Sequence, residues 1–358
     1  MLVSRRALLT LPQSRSIQTG DEERPRPRAG YWIHLNRPAM ACRFEITLPA
    51  ELSHRLDTAK AALDTIDALE AQLTIFRETS ELAAINRDAA ENAVTVERNL
   101  HDLLVLCQQL SAATDGAFDI TSTPLSRAWG FLRREGRLPE ADELAAARAN
   151  VGMDKVILAS NNDAAGASVK TIRFTQPGVS LNLGGVGKGF ALDRIANDMI
   201  AAGTETALLT AGSSSFRAIG DGPDGTGFRV GLRDPFDHTR RYGSVTLRDN
   251  ALGVSGAGEQ FFEAPGNDGP RRLGHIIDPR SGWPVEGRAL VAVTAPSATL
   301  ADALATAFFV GGPAIAARYT ADHPEVSVVI LDMPISGQRP QARFFGPASK
   351  QWRVSRAA

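Results

Sequence analysis

The run Leu181-Asn182-Leu183-Gly184-Gly185-Val186-Gly187-Lys188-Gly189-Phe190-Ala191 decides how this chain is read. Residues 179–183 have a strand-like pattern, a glycine-rich turn follows, and residues 188–202 have the length and composition of a helix. A strand, a glycine turn and a helix in that order suit a phosphate, because glycine lets the backbone come close and a helix N-terminus offers unpaired amides. The same residues also fit a plain tight turn between strand and helix, and that alternative stays open. Two nucleotide motifs fail on spacing. Asn182 stands where a P-loop has its first glycine, Gly189 replaces its Ser/Thr, and no register fits G-x-G-x-x-G.

Upstream, residues 31–48 read as strands. Leu56, Leu63, Ile66, Leu69, Leu73 and Phe76 recur at spacings of three, four and seven, which predicts a long amphipathic helix. Ser80 caps a short helix at 81–87, a further helix covers 99–113, and residues 115–119 form the loop that ends it. Strands at 156–159 and 171–174 flank a turn at 161–163. Downstream, strands are expected at 206–210, 228–233, 244–247, 251–254 and 290–294. Then come a helix at 299–310, a shorter one up to Tyr319, and last strands at 326–331 and 341–345. This order is mixed, without strict βα alternation. It predicts an α+β fold with a mixed sheet and two intimately packed halves rather than a doubly wound sheet. With no internal repeat or clear linker, residues 31–358 are read as a single domain.

Bulk properties narrow the partners. The 358 residues are 43% hydrophobic, enough for a sizeable core, and Lys+Arg 39 against Asp+Glu 40 leaves a net charge of -1. No general attraction to nucleic acid or an anionic membrane follows, so phosphate binding must be local. No stretch after the N-terminal segment reaches the ~18 uninterrupted apolar residues of a transmembrane segment. Cys42 and Cys107 lack metal-site spacing and are expected to be small buried hydrophobes. Ser4-Arg5-Arg6 resembles the start of a twin-arginine signal, but the apolar run stops at Leu11-Pro12. Residues 1–30 are therefore read as a disordered tail or degenerate signal, which favours a cytoplasmic location over export to the periplasm.

Two further segments carry chemistry. In Ala301-Asp302-Ala303-Leu304-Ala305-Thr306, helical spacing of four sets Asp302 beside Thr306. A carboxylate, a hydroxyl and a nearby carbonyl make a partial shell for Mg²⁺, which takes hard oxygen ligands and fills its remaining positions with water and phosphate. The competing reading has Asp302 favouring the positive helix start and Thr306 bonding back to a carbonyl. In Gly274-His275-Ile276-Ile277-Asp278-Pro279, His275 or a neighbouring carboxylate is placed to accept a proton, or Asp278 merely organises a turn while His275 packs.

Taken in order, these segments resemble the ApbE family of FAD:protein FMN transferases from about Pro38 to Gly312. The pieces are Met40-Ala41-Cys42, Phe76-Arg77, Gly116-Ala117-Phe118-Asp119, residues 181–191, Val254-Ser255-Gly256, His275 to Pro279, and Pro296 to Thr306. The resemblance implies Mg²⁺ held by Asp302, Thr306 and the Gly185 carbonyl. It implies FAD lined by Met40, Phe76, Ala117, Phe118, Asp119, Lys188 and His275, with His275 close to the reacting phosphates, and on that placing His275 is read as the proton acceptor. The implied reaction moves FMN from FAD to a Thr or Ser hydroxyl of an acceptor protein and leaves AMP. An FAD-binding protein without transfer, or an FAD pyrophosphatase, is the alternative. The chain departs from the family in two places: Ala211-Gly212-Ser213-Ser214-Ser215 stands where Ala-Gly-Gly-Asp is common, and Ala41-Cys42 where Gly-Thr is.

Overall fold

The computed structural model describes residues 31–162, 168–222, 224–237, 239–258, 260–265, 269–334, 342–347 and 352–354. The expected tail or signal at 1–30 lies outside these, as do Asp163, His238 and Gln341. Strands β1 (Trp32–Ala39) and β2 (Cys42–Pro49) open the chain, followed by α1 (Leu56–Leu73), α2 (Glu81–Asp88), β3 (Val94–Thr95) and α3 (Arg98–Ala113). Two helices that the sequence reading missed follow, α4 (Thr123–Ala128) and α5 (Ala141–Ala149). Next come β4 (Val156–Asn162), β5 (Ser168–Phe174), α6 (Gly187–Ala201), β6 (Ala207–Ala211), β7 (Ser215–Ile219), β8 (Phe228–Arg233), β9 (Arg241–Leu247) and β10 (Ala251–Gly256). The chain continues through β11 (Phe261–Ala264), β12 (Arg271–Gly274), β13 (Arg288–Ala295), α7 (Ala298–Asp322), β14 (Ser327–Asp332), β15 (Ala342–Phe345) and β16 (Trp352–Val354).

Eight strands form the main sheet in the order β1-β2-β6-β7-β10-β13-β14-β15. The α+β expectation holds, but every ladder in this sheet is antiparallel rather than mixed. Helices sit on one face, and the small sheet β16-β9-β8 covers the other. Burial on both faces explains the unbroken apolar run in β13: Val291 and Val293 join the core beneath the helices, while Leu290 and Ala292 join the core beneath β8 and β9. A third cluster around Trp129, Phe131, Leu273 and Ile277 ties α4 to the β11–β12 hairpin. The first core extends from Leu35 through Leu104 and Ile172 to Ile330, so the region around α3 and the main sheet share one interior.

Several expectations are corrected. Residues 179–183 are no strand, because no neighbouring strand pairs with them. Instead the Asn86 side chain takes over that role, accepting from the Leu181 amide at 2.7 Å and donating to the Leu181 carbonyl at 2.9 Å. Asn161 and Asn162 extend β4 rather than turning. Helix α1 stops at Leu73, so Phe76 leaves its apolar stripe and stands 74% exposed. Cys107 is buried, which pushes its thiol pKa up, but Cys42 is only half-buried because it begins β2 directly after a turn. Ser80 caps α2 as expected, accepting from the Ala83 amide at 3.0 Å.

Helix α7 is long and apolar enough to span a membrane by length and composition, yet most of it is buried inside the fold. Its helical geometry breaks at Gly312, ahead of Pro313, in keeping with the two helices read from sequence.

Candidate active site

Two helices build the site by crossing at close range. A Cβ on Gly189 of α6 would lie 2.1 Å from the Ala298 carbonyl oxygen, and one on Gly253 of β10 would lie 2.4 Å from the Ala301 carbonyl. Only glycine permits α7 to sit this tightly against both neighbours. The start of α7 is then pinned from α6. Asp193 accepts from the Ala298 and Thr299 amides, each at 2.8 Å, and from the Thr299 hydroxyl at 2.5 Å, while Ser297 caps Leu300 locally. Arg217 of β7 closes the arrangement, with its Nε 3.7 Å from Asp193. Side-chain carboxylates satisfy orphan helix amides and favour the positive helix start.

This framing fixes Asp302. Its Oδ2 accepts from the Gly189 amide at 2.8 Å and from the Ser215 hydroxyl at 2.9 Å, which leaves Oδ1 without a hydrogen-bond partner among the described residues. Asp302 lines a cavity of about 260 Å³ together with Thr306, Gly184, Gly185, Lys188, Ser214, Ser255 and His275. Burial pushes the Asp302 carboxyl up to about 7, opposed by Lys188 and by the bonds from Ser215 and Gly189. Thr306 Oγ1 lies 3.4 Å from Ser255 Oγ and 3.4 Å from the place a Gly185 Cβ would take. Asp302 bonds across to another helix, and Thr306 faces the same cavity one turn on.

These residues fit a hard divalent cation. An unpaired carboxylate oxygen faces the cavity, a hydroxyl follows at helical spacing, and the glycine turn lies against both. That donor set is all oxygen and incomplete, which suits Mg²⁺ finished by water and phosphate. Among the described residues there is no group of three or more His, Cys, Asp or Glu that could hold a metal ion.

Lys188 donates to Ser214 Oγ at 2.6 Å and also lines a second cavity of about 290 Å³, with Asn182 and Gly184 common to both. That second cavity is bounded by Met40, Ala41, Glu70, Leu73 and Phe76. Met40 and Ala41 form the two-residue turn between β1 and β2 with φ of 49° and 57°, and the Met40 amide donates to Glu70 Oε1 at 2.7 Å. His275 follows β12 directly. Its Nδ1 lies 3.2 Å from the Gln260 carbonyl oxygen, so Nδ1 carries the hydrogen and Nε2 is the basic nitrogen of the neutral ring. Asp278, three residues on, pairs with Arg280. Burial pushes its pKa up, but bonds from the Arg280 side chain and amide more than offset this, holding it below the usual carboxylate range and organising the turn.

Ala117, Phe118 and Asp119 do not line either cavity. Ala117 and Phe118 are nearly fully buried, and Phe118 backs Gly185. Burial pushes the Asp119 carboxyl up, while its Oδ1 accepts from the Thr121 amide and hydroxyl. Next to it, the Ile120 carbonyl accepts from the Asn182 amide at 2.8 Å, so this segment supports the glycine turn from behind. Sequence reasoning missed Asp193, Arg217 and Gly253. Their partners are distant in the chain, and no local pattern marks a carboxylate that caps a helix more than 100 residues away.

Residues 40–330 match the ApbE family. A Treponema pallidum protein named FAD:protein FMN transferase is 32% identical over 287 residues, covering 76% of this chain and 77% of that protein. A Haemophilus influenzae protein of the same name is 28% identical over 273 residues, covering 75% of each. The ApbE protein of Thermotoga maritima is similar in structure, with a TM-score of 0.74 and 26% identity over 87% of this chain and 96% of that one.

Proposed function

The chain belongs to the ApbE family, and from that premise we propose that it is an FAD:protein FMN transferase, moving the FMN half of FAD to a Thr or Ser hydroxyl of an acceptor protein and releasing AMP. The observation that carries this reading is the convergence of Asp302 Oδ1, Thr306, the Gly185 turn, Lys188 and His275 on one cavity that adjoins an apolar one. Lys188 stands where the two cavities meet, so its ammonium pairs with the pyrophosphate while the flavin or adenine ring takes the more apolar side between Met40 and Phe76. Asp302, Thr306 and the Gly185 carbonyl hold Mg²⁺. Mg²⁺ supplies charge neutralisation of the phosphate oxygens, worth roughly several kcal/mol in the transition state. His275 Nε2 takes the proton from the acceptor hydroxyl as that oxygen attacks the FMN phosphorus, and the glycine turn keeps the reacting groups aligned. Ala117, Phe118 and Asp119 act from behind by holding that turn.

The test is chromatographic detection of AMP and FMN after incubation with FAD and a Ser/Thr acceptor peptide, in Mg²⁺ and in EDTA. The expected result is Mg²⁺-dependent AMP release coupled to a flavin-sized mass gain on the peptide, lost in Asp302→Ala and sharply slowed in His275→Ala. Free FMN without peptide labelling would instead assign an FAD pyrophosphatase. Bound FAD without AMP would assign a flavin-binding protein.

A further inference from the structure

We infer that this site does not take up Mg²⁺ by itself, and that the species it recognises is the metal–dinucleotide complex. The inference rests on the transferase reading and adds the order in which the site is filled.

Among the described side chains lining the first cavity, one carboxylate is set against one ammonium. Of the side chains lining the first cavity, Asp302 supplies the carboxylate and Lys188 the ammonium; the remaining oxygens on that wall belong to neutral hydroxyls and amides. Asp302 is already partly satisfied, because Oδ2 accepts from the Gly189 amide and the Ser215 hydroxyl. Lys188 cannot swing away at no cost, since its ammonium is held at 2.6 Å by Ser214, whose own hydroxyl lies 3.4 Å from that of Ser215. A chain of contacts thus runs from the ammonium through two serines to Asp302, the one carboxylate among the described residues lining this cavity.

Mg²⁺ gives up water reluctantly and is usually held by one or two carboxylates plus substrate phosphates. One carboxylate next to a fixed ammonium offers little net attraction to a hydrated divalent ion, because the repulsion from Lys188 opposes the attraction to Asp302. The pyrophosphate of FAD changes this balance. It brings two negative charges, pairs with Lys188 and leaves Asp302 Oδ1 and Thr306 facing anionic oxygens. Cation and dinucleotide then each raise the affinity of the other, and linkage makes the two factors equal.

The test uses the full chain stripped of metal by EDTA and desalted, with MgCl₂ titrated calorimetrically alone and again at saturating FAD. MgCl₂ alone should give no saturable heat through the millimolar range. With FAD present the affinity should rise by at least about tenfold, and FAD affinity should rise by the same factor in Mg²⁺. Lys188→Met removes the opposing charge, so it should tighten binding of MgCl₂ alone while weakening FAD. Ser215→Asp adds a carboxylate beside Asp302 and should also create binding of MgCl₂ alone; if that buried substitution prevents folding, Lys188→Met carries the comparison. A coupling factor near one overturns the inference, as does wild-type protein that binds MgCl₂ alone as tightly as with FAD. Failure of FAD to bind with or without Mg²⁺ would instead sink the transferase reading itself.

Discussion

The two cavities that meet at Lys188 are built on opposite principles. On the Asp302 side, backbone is packed against backbone at Gly189 and Gly253, helix amides are capped by Asp193, and Asp302 itself is only 7% exposed. On the Phe76 side, the wall is a two-residue turn of non-glycine residues in the left-handed region and a phenyl ring standing in solvent. The first has little freedom to adjust, which suits the fixed oxygens that the proposed cation and reacting phosphate would need. The second keeps side-chain freedom, as a planar ring needs only a surface to stack on.

That contrast is sharpest at Gly253. Gly253→Ala drives a Cβ into the α7 backbone, and overpacking of this kind costs about 1–3 kcal/mol, occasionally more; denaturant unfolding should show the loss, and a near-neutral result would mean that α7 can shift. Next in size is a pH effect of Asp302. Because its folded-state carboxyl titrates near 7 rather than in the usual carboxylate range, the metal-free folded state keeps a proton that the unfolded chain has released. Its contribution to stability therefore falls as pH rises from about 4 to about 7 and is flat above that. Asp302→Asn, which retains an acceptor for Gly189 and Ser215, should remove that slope from thermal melts. Asp193→Ala uncaps α7 and should cost about 1–2 kcal/mol, with faster hydrogen exchange confined to the first turn of that helix.

On the adaptable side the effects are smaller and of another kind. Phe76→Ala should leave unfolding unchanged, since the ring is exposed, and raise KM for FAD by about tenfold with kcat retained, as loss of stacking contact predicts. Ala41→Gly relieves a left-handed alanine at φ 57° and should stabilise the protein by under about 1 kcal/mol, because the strain relieved is partly offset by the greater freedom of glycine in the unfolded chain. If Phe76→Ala destabilised the fold as much as Gly253→Ala, the division between a rigid and an adaptable wall would not hold.

Much of the fold was readable wherever one element decides its own form. The stripe in α1, the Ser80 cap and the break at Gly312 within α7 depend on neighbours a few residues away, and the structure has them as expected apart from the place of Phe76. The short helices α4 and α5 escaped because six and nine residues give little periodicity to read. Strand β7 escaped because Ser215-Phe216-Arg217 looks like loop until Asp302 and Asp193 are seen to take its polar side chains.

For the candidate site, the sequence by itself determined which proposed donors stand together. Asp302 and Thr306 share a helix, and helical spacing must place them side by side; the glycine run and Lys188 share a turn. Only the tertiary structure decided what those donors face. The segment at 179–183 carries an alternating pattern that every local rule reads as a strand, yet strands exist only in pairs, and here Asn86 takes the partner's place. Likewise, no local pattern could tell that Asp193 caps a helix 105 residues further on, or that Gly253 is small because Ala301 passes over it. Periodicity and capping are short-range and survive in a sequence, whereas close approach of backbones is a property of two distant segments together.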